Sequence, residues 1–354
     1  MRKNLFIAAL AIGVSAMATN PVLSGFNHLL RPADARFLAT GTTLIRSDLN
    51  SGSLFISPVQ RFGAEQRVFG LNFIPTVVAG QSNSMMGTAY GASSAGNGVL
   101  SGGFRYYQAG SVVVRDNEGN ELGTVTPYVV DMSVNYSMNL SERLTMGVGL
   151  RYLYSDLFQG QDNSAKLSTV NVDFAALYKL NEKSDLLVQL SELGPKMNTS
   201  NGAAGFAPTR FRIGYLSSFK LANKGFDWSI QLEKVLAPTA PILGSDGTVI
   251  SGKPLPNGFL APLVTSWNDA PGGFAEEITE VRPSVGIAYK VSETLAVRSG
   301  YSYQSIQKGS LHYVGLGLSY STTKVRFDAG YALGMAQLTN PMNNHIQVGL
   351  GYSL

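Results

Sequence analysis

The sequence has no cysteine, few charged residues and, beyond its first twenty residues, no long apolar run. The absence of cysteine excludes disulfide bonds, thiolate metal sites and a lipid-anchored lipoprotein. The three histidines, His28, His312 and His345, lack metal-ligand spacing, so we expect them at the surface or an interface. Charged residues make up 14% of the chain, against about 25% in an average soluble protein. No stretch of about 18 apolar residues follows the leader, so no transmembrane helix is predicted.

The first residues have the pattern of an export signal. Arg2 and Lys3 precede an apolar stretch, Leu5–Val14, which is followed by the small-residue cleavage pattern Ala16-Met17-Ala18. This predicts a signal peptide at residues 1–18, and the alternative of a membrane anchor is disfavoured because the run is short. The net charge of +4 falls to about +2 without the two basic residues of the leader, so the charge indicates no nucleic-acid partner.

In much of the sequence, apolar residues alternate with small or polar residues with a period of two. In the last ten residues, Ile346, Val348, Leu350 and Tyr352 share one parity, while the other parity is small or polar. Successive side chains of a strand point to opposite faces, so this pattern predicts a strand with one apolar face. The same pattern recurs over most of the chain, at 67–75, 85–93, 98–107, 129–139, 144–154, 169–180, 185–193, 210–220, 226–236, 282–290, 295–304, 311–320, 325–334 and 345–354.

These strands predict an all-β fold, a transmembrane antiparallel β-barrel of about 14 strands in the bacterial outer membrane. In lipid, a closed barrel of strands satisfies every backbone hydrogen bond, and short periplasmic turns alternate with longer extracellular loops, as the predicted connections do here. Twelve or sixteen strands remain alternatives because the first two are weakly patterned. Residues 67–354 form the predicted barrel, and residues 19–66, which do not alternate, form a periplasmic or plug-like segment in or under it.

The inward parity of the predicted strands carries charges of both signs. A single-sign ladder would indicate a selective pore, whereas mixed charges favour mutual pairing in the lumen. Both mutual pairing and a charge-lined conduction pathway remain open from the sequence. The residues concerned are Arg105, Asp131, Arg151, Asp173, Arg212, Asp227, Glu233, Arg298, Arg326 and Asp328.

We find no convincing catalytic, cofactor or metal site. Gly315-Leu-Gly317 and similar fragments do not complete a dinucleotide-binding motif, and they lie within alternating strands, where they predict small inward positions. Glu276, Glu277 and Glu280 are acidic residues close in sequence, and we expect solvated loop carboxylates or the first turn of a short helix. An outer-membrane hydrolase using them is a minor alternative.

One predicted extracellular loop, residues 237–281, is far longer than a usual connection, and long loops in compact folds are commonly functional or disordered. Pro238 and Pro241 begin a series of prolines that stiffen it, while Trp267 and Phe274 are apolar anchors of the kind found at binding hot spots. The loop is therefore predicted either to bind a partner or to fold over its own barrel mouth, and the two roles are compatible.

The sequence resembles the PorV family of the type IX secretion system, within a PorV/PorQ group related to FadL-type barrels. The resemblance runs over most of the chain after the leader and is densest from about residue 205 onward. Two stretches depart from the family pattern, since Phe37–Thr43 and Ile56–Val59 replace a glycine-rich stretch and a Trp-Asn-Pro-Ala motif. The resemblance rests on Asp34–Arg36, Ala207–Thr209, Lys234–Pro241, Asp269–Phe274 with Glu276 and Glu277, Lys308-Gly309 before Tyr313, and Asn340–Asn343.

The resemblance implies a non-enzymatic protein-secretion component without cofactors. Members of the family dock with the giant, SprA/Sov-like translocon barrel, accept the C-terminal signal domains of cargo proteins, and deliver them to a surface attachment complex that includes a PorU-like sortase. Outer-membrane lipid and lipopolysaccharide surround such a barrel, and no nucleic acid is involved.

By position, the loop at 237–281 is the candidate for engaging these partners. We hypothesise that Trp267 and Phe274 provide buried apolar contact and that Asp269, Gly272 and Gly273 shape the turn that presents them. Glu276 and Glu277 are expected to pair with basic residues of a partner, and Pro238 and Pro241 belong to the same candidate site.

Two other functions remain open. A FadL-like channel for hydrophobic small molecules predicts a continuous apolar tunnel and an inward kink in one wall strand. A structural paralogue that binds the translocon but no cargo is the other alternative, because the N-terminal segment departs from the family pattern.

Overall fold

The computed structural model describes residues 22, 26–50, 54–63, 65–76, 84–115, 118–156, 166–198, 204–335 and 342–354. The predicted signal peptide at 1–18 lies outside the described residues. Fourteen strands form a closed barrel in which each strand pairs antiparallel with the next barrel strand in the chain, and the first strand closes the ring against the last from Val68↔Ser353 to Phe73↔Val348. The predicted fold class is confirmed.

The barrel strands are close to the predicted ones, and most differences are extensions or truncations of one to three residues at strand ends. No helix among the described residues has the length and hydropathy needed to cross a bilayer. The strands are β1 Arg67–Thr76, β2 Ser84–Ala95, β3 Gly98–Gln108, β4 Tyr128–Asn139, β5 Leu144–Asp156, β6 Lys166–Asn181, β7 Ser184–Leu193, β8 Arg210–Leu221, β9 Lys224–Val235, β10 Val281–Lys290, β11 Leu295–Ser302, β12 Tyr313–Ser321, β13 Val325–Gly334 and β14 His345–Ser353.

Alternation decides which face of each strand is outside. On β4, Met132 and Val134 are exposed, whereas Asp131, Ser133 and Asn135 are buried. Apolar side chains therefore face outward, where lipid lies in a membrane barrel, and polar side chains face the lumen. Connections alternate between tight turns at one end and longer segments at the other.

The long-connection end carries the small hairpins, whereas the helix Ala35–Ala39 and the Arg46–Asp48 turn belong to the N-terminal segment inside the barrel. The three two-stranded hairpins are formed by Val112–Arg115 with Glu121–Val125, Met197–Asn198 with Ala204–Gly205, and Ile242–Leu243 with Val249–Ser251. The helices of the described chain are α1 Ala35–Ala39, α2 Pro262–Thr265 and α3 Phe274–Thr279, with 3₁₀ turns at Asn27–Leu30, Arg46–Asp48 and Ile306–Lys308.

The N-terminal segment occupies the lumen. Phe26 packs near Ile74 at the long-connection end, whereas the main-chain NH of Gln60 donates to Ser137 Oγ nearer the turn end, at 3.0 Å. Most residues between Ala33 and Gln60 that the structure describes are buried against the wall. We call the described residues 26–50 and 54–63 the plug, and its core residues include Phe37, Leu44, Leu49, Ile56 and Val59.

Glycines on the inner wall allow the plug backbone to approach closely. Gly286, Gly300 and Gly315 are register partners on β10, β11 and β12. A Cβ added at Gly300 would lie 2.2 Å from the Thr40 carbonyl carbon, and one added at Gly315 would lie 2.3 Å from the Leu38 carbonyl oxygen. These glycines therefore form a seat for the end of α1 and the residues after it, and Gly315 is one of the small inward positions predicted from the sequence.

Charged side chains on the inner wall pair with one another. Arg151 binds Asp131 at 2.7 Å and Asp173 at 2.9 Å, and Arg105 also binds Asp131. Further along the wall, Glu192 binds Arg210, and Glu233 binds Arg212 and Arg282. Mutual pairing of lumen charges is the interpretation that the structure supports.

A second cluster ties the plug to the wall. Arg36 of α1 binds Asp48 at 3.1 Å and lies 3.4 Å from Asp328 on β13. Asp48 also receives two hydrogen bonds from Arg298 on β11, at 3.0 and 3.1 Å. A buried arginine needs such carboxylate partners, so this cluster fixes the position of the plug.

Candidate functional site

The segment from Leu236 to Glu280 connects β9 and β10, and it contains regular local structure. The hairpin of Ile242–Leu243 with Val249–Ser251 is followed by α2 and α3. Pro238 is buried at the start of the loop and Pro241 is partly buried. The backbone of Thr239 next to them forms a β-bridge with Val22 of the N-terminal segment.

The turn before α3 depends on glycine and on two acidic side chains. Gly273 precedes the helix with φ +64° and ψ −151°, a conformation available to glycine but strained for other residues. The main-chain NH of Gly272 donates to Glu276 Oε2 at 2.7 Å, and the NH of Ala270 donates to Glu277 Oε1 at 2.8 Å. The expected short helix after Pro271 is confirmed.

Two lysines from outside α3 hold the helix in place. Lys234 on β9 binds Glu277 at 2.9 Å and also binds Glu280. Lys308, from the loop between β11 and β12, binds Glu276 at 2.6 Å and Glu280 at 2.9 Å. We call these two lysines and three glutamates the latch. All of them lie at the end of the barrel that carries the long connections.

From the sequence, Glu276 and Glu277 are expected to pair with basic residues of a partner. For Glu277 this expectation is wrong, and Glu276 pairs with a lysine of its own chain instead. Glu277 is buried, and both of its carboxylate oxygens bind groups of this chain. Glu276 binds Lys308 and the NH of Gly272. The expectation of solvated carboxylates also fails for Glu280, which accepts hydrogen bonds from Lys234, Lys308 and Thr239.

Asp269 lies beside the latch and forms no ion pair with a cation of the described residues. Its Oδ2 accepts a hydrogen bond from the NH of Thr239 at 3.3 Å, and its Oδ1 is buried with no hydrogen-bond partner in the described part of the chain. Burial, together with the nearby carboxylates of Glu277 and Glu280, raises the pKa of Asp269 to about 6. The hydrogen bond connects Asp269 to the start of the loop at Thr239, but the charge of Asp269 opposes folding of the loop at neutral pH.

Asp269, Glu277 and Glu280 are also close enough in space for metal ligation, since their carboxylate oxygens lie within 4.8 Å of one another. The ammonium groups of Lys234 and Lys308 already neutralise the two glutamates, however, and a divalent cation would be repelled by both. We therefore assign the cluster to ion pairing.

The expectation that the histidines lie at the surface or an interface is corrected in part, because His312 and His345 are buried.

The loop between β9 and β10 carries a set of exposed apolar side chains. Exposure is 75% for Val264, 47% for Trp267, 79% for Phe274 and 56% for Ile278. We call these four residues the loop surface. Helix α2 carries Val264 and helix α3 carries Phe274 and Ile278, so the backbone holding them is regular.

The loop surface lies beside the barrel wall. The ring of Trp267 is 5.8 Å from that of Phe211, in an edge-on arrangement, and its face lies 5.9 Å from Lys234 Nζ. Phe211 and Lys234 are register partners on the outward parity of β8 and β9. Lys234 is nevertheless buried because the loop covers it. This part of the loop therefore packs on the outward side of the wall and does not fill the mouth.

Sequence reasoning missed Lys234, Lys308, Phe211 and Glu280 as site residues. Glu277 and Glu280 are three residues apart, a spacing that places both on one face of a helix, and this was the available signal. The lysines gave no such signal, because their distance from the glutamates in the sequence is 28 to 46 residues.

Burial of Asp269 gives a pH prediction. Because its folded pKa is raised above the ordinary value of 3.8, the penalty for its charge is present above pH 6 and is relieved as pH falls through that value. Amide hydrogen exchange at residues 269–280, corrected for intrinsic rates, should therefore be slower at pH 5.5 than at pH 7.5. Asp269→Asn should remove this difference, and an unchanged difference in the variant would contradict the assignment.

The chain is similar to known proteins at two levels. The family model for "Type IX secretion system protein PorV" matches residues 16–242, which is more than half of the chain. No curated protein sequence matches the chain significantly.

Among solved structures, the toluene transporter TodX of P. putida superposes with a TM-score of 0.52 at 14% identity, covering 90% of this chain and 97% of TodX. The toluene transporter TbuX of Ralstonia pickettii gives a TM-score of 0.53 at 11% identity, covering 94% and 98%. At this identity, the likeness shows a shared barrel fold. The match over residues 16–242 shows that the chain is an outer-membrane β-barrel belonging to the PorV family of the type IX secretion system.

Proposed function

We propose that the protein is a non-enzymatic shuttle of the type IX secretion system. It binds the translocon barrel and the C-terminal signal domains of cargo, and it passes the cargo to the sortase-containing attachment complex at the cell surface. The observation that carries this proposal is the exposed loop surface, held rigidly by the latch on the outward side of the wall. Family membership supports the role in secretion.

The loop surface has the properties of a protein-docking site. Large apolar side chains exposed together are unusual outside lipid-facing regions, and they mark interaction sites. Trp267 offers an aromatic ring whose indole NH is already satisfied by the Leu263 carbonyl at 2.9 Å. Burying the ring against a partner therefore leaves no unpaired donor, and aromatic anchors of this type dominate interface energetics.

The position of the loop surface favours a partner that lies beside the barrel. Trp267 sits against Phe211 on the outward parity of β8. A neighbouring barrel in the same membrane would approach this side of the wall, whereas a cargo domain would approach from the long-connection end. The translocon barrel is therefore the proposed partner of the loop surface, and cargo is the proposed partner of the adjoining extracellular loops.

A FadL-like channel remains the second candidate, because the pairing of one wall strand is interrupted by a bulge. Glu192 on β7 is buried with φ +56°, and the β6–β7 register shifts between Val172 and Phe174. TodX, TbuX and CymD, a monoaromatic hydrocarbon channel, share the barrel fold. The lumen gives less support, since the plug fills it and the cavity of about 620 Å³ at the turn end is lined by groups such as Arg46, Asp227 and Arg298.

Loss of the loop surface should abolish translocon binding. In the double variant Trp267→Ala/Phe274→Ala, we expect recovery of the translocon barrel with the tagged protein to fall at least about tenfold, as for hot-spot residues. Both side chains are exposed, so the barrel should insert normally. Deletion of residues 255–275 should have the same effect and should also stop cargo secretion.

The control for this experiment is Phe104→Ala, which removes an exposed aromatic ring from the lipid-facing parity of β3. Normal recovery and normal cargo secretion by the deletion variant, at wild-type surface expression, would refute the proposal. Translocon recovery without cargo from the wild-type protein would favour a structural paralogue. Hydrocarbon uptake that depends on the protein, without recovery of either partner, would favour the channel.

A further inference from the structure

The latch joins two loops that are separate in the sequence. Helix α3 belongs to the connection between β9 and β10, whereas Lys308 belongs to the connection between β11 and β12. The side chain of Lys308 is only 2% exposed, although lysine is almost never fully buried unless it is paired. Its ammonium group is enclosed by Glu276 and Glu280, so the second loop contributes a buried cation to the first.

The backbone that carries Lys308 is itself fixed. Gln304 Nε2 donates to the Lys308 carbonyl at 2.6 Å, and Ser305 Oγ accepts from the NH of Gln307 at 3.3 Å. Gly309 follows with φ +122°, a value that favours glycine. The short 3₁₀ turn therefore presents Lys308 from a defined position, which a freely moving loop would not do.

Lys234 performs the corresponding task from the barrel wall. Its ammonium group binds Glu277 and Glu280 and also lies over the ring of Trp267. Glu280 is the shared member, because it accepts from both lysines and from the hydroxyl of Thr239 at 2.6 Å. Removing either lysine leaves buried carboxylates without sufficient positive charge, a strongly unfavourable arrangement.

We infer that Lys308 and Lys234 are positioning residues for the loop surface, so that the two neighbouring extracellular loops act as one unit in partner binding. Neither lysine needs to touch the partner. This inference rests on the proposed function, since it assumes that the loop surface is the docking site. Specifically, docking through the loop between β9 and β10 requires the buried charge of Lys308 from the loop between β11 and β12.

The test compares four variants of the full-length protein in detergent. Lys308→Met should accelerate amide exchange at residues 274–280 at least tenfold and reduce translocon recovery at least fivefold. Lys308→Arg keeps the charge, so it should retain most of the protection from amide exchange and most of the translocon recovery. Lys253→Met removes an exposed lysine of the loop between β9 and β10, which binds Asn268, and should change neither the exchange rate nor the translocon recovery. Phe274→Ala should reduce recovery without accelerating exchange.

The possible outcomes separate the inference from the proposed function. Unchanged exchange in Lys308→Met would overturn the positioning role. If Lys308→Met exchanges faster but still recovers the translocon fully, the positioning role is also overturned. In that case, reduced translocon recovery by Phe274→Ala would leave the proposed function standing. Full recovery by both Phe274→Ala and Lys308→Met would overturn the two together, since the loop surface would then not be the docking site.

Discussion

Replacing Gly300 with valine should displace the plug and destabilise the barrel by about 3 kcal/mol, at the upper end of the usual range for overpacking. The first added carbon would already lie 2.2 Å from the Thr40 carbonyl carbon and 2.6 Å from the Gly41 nitrogen. Both neighbours are backbone atoms, so a change of side-chain rotamer cannot relieve the contact.

The plug has little freedom to move aside. Arg36 and Asp48 bind each other, and they bind Asp328 and Arg298 on the wall. The overlap at Gly300 must therefore either break these ion pairs or distort β11. We expect a lower temperature for loss of the compact form on electrophoresis and, where the barrel still inserts, new ion conductance in planar bilayers.

Gly87→Val is the matched control, because a Cβ added at Gly87 on β2 has no atom within 4 Å. It should keep both the wild-type melting behaviour and the closed lumen. A Gly300→Val protein that melts like the wild type and does not conduct would contradict the seating of the plug against β11.

The second large effect is expected at Arg151. Replacing it with methionine should destabilise the barrel by about 3 to 5 kcal/mol, the range found when one member of a buried ion pair is removed. Arg151 is 2% exposed and binds both Asp131 and Asp173. Among the described residues, Asp173 would then keep one hydrogen bond, from the NH of Glu192 at 2.6 Å, and the nearby Glu192 carboxylate would repel it.

Arg115→Met provides a matched comparison on the surface. Arg115 binds Glu121 in a hairpin at the long-connection end, and both side chains are more than half exposed. Exposed pairs contribute about 0 to 1 kcal/mol, so unfolding in denaturant should be almost unchanged. Equal effects of the two substitutions would show that the wall charges are solvated and not paired in a buried network.

The barrel was predictable because most strands show the alternating pattern within their own sequence, although the first two show it weakly. Alternation of Met132 and Val134 with Asp131 and Ser133 identifies both the strand and its two faces, and the closing strand does the same. The strand ends were less well predicted. The strand expected at 295–304 ends at Ser302, for example, because the chain then turns toward the segment that carries Lys308.

The plug and the site were only partly predictable, since their contacts join distant residues. The sequence placed residues 19–66 in or under the barrel, but it did not indicate that Arg36 and Asp48 would meet Arg298 and Asp328. The length and the apolar anchors of the loop marked it as functional. The latch was not visible because its lysines come from a barrel strand and from a different loop.

The most direct test of the proposed function is photo-crosslinking from the loop surface in living cells. A photoreactive amino acid at position 274 should form a product with the very large translocon barrel, because Phe274 is the most exposed of the four residues. The same probe at position 104, on the lipid-facing wall, should not form it. If neither position forms a crosslinked product with the translocon barrel, although the protein is correctly inserted and the cells actively secrete cargo, the account is contradicted.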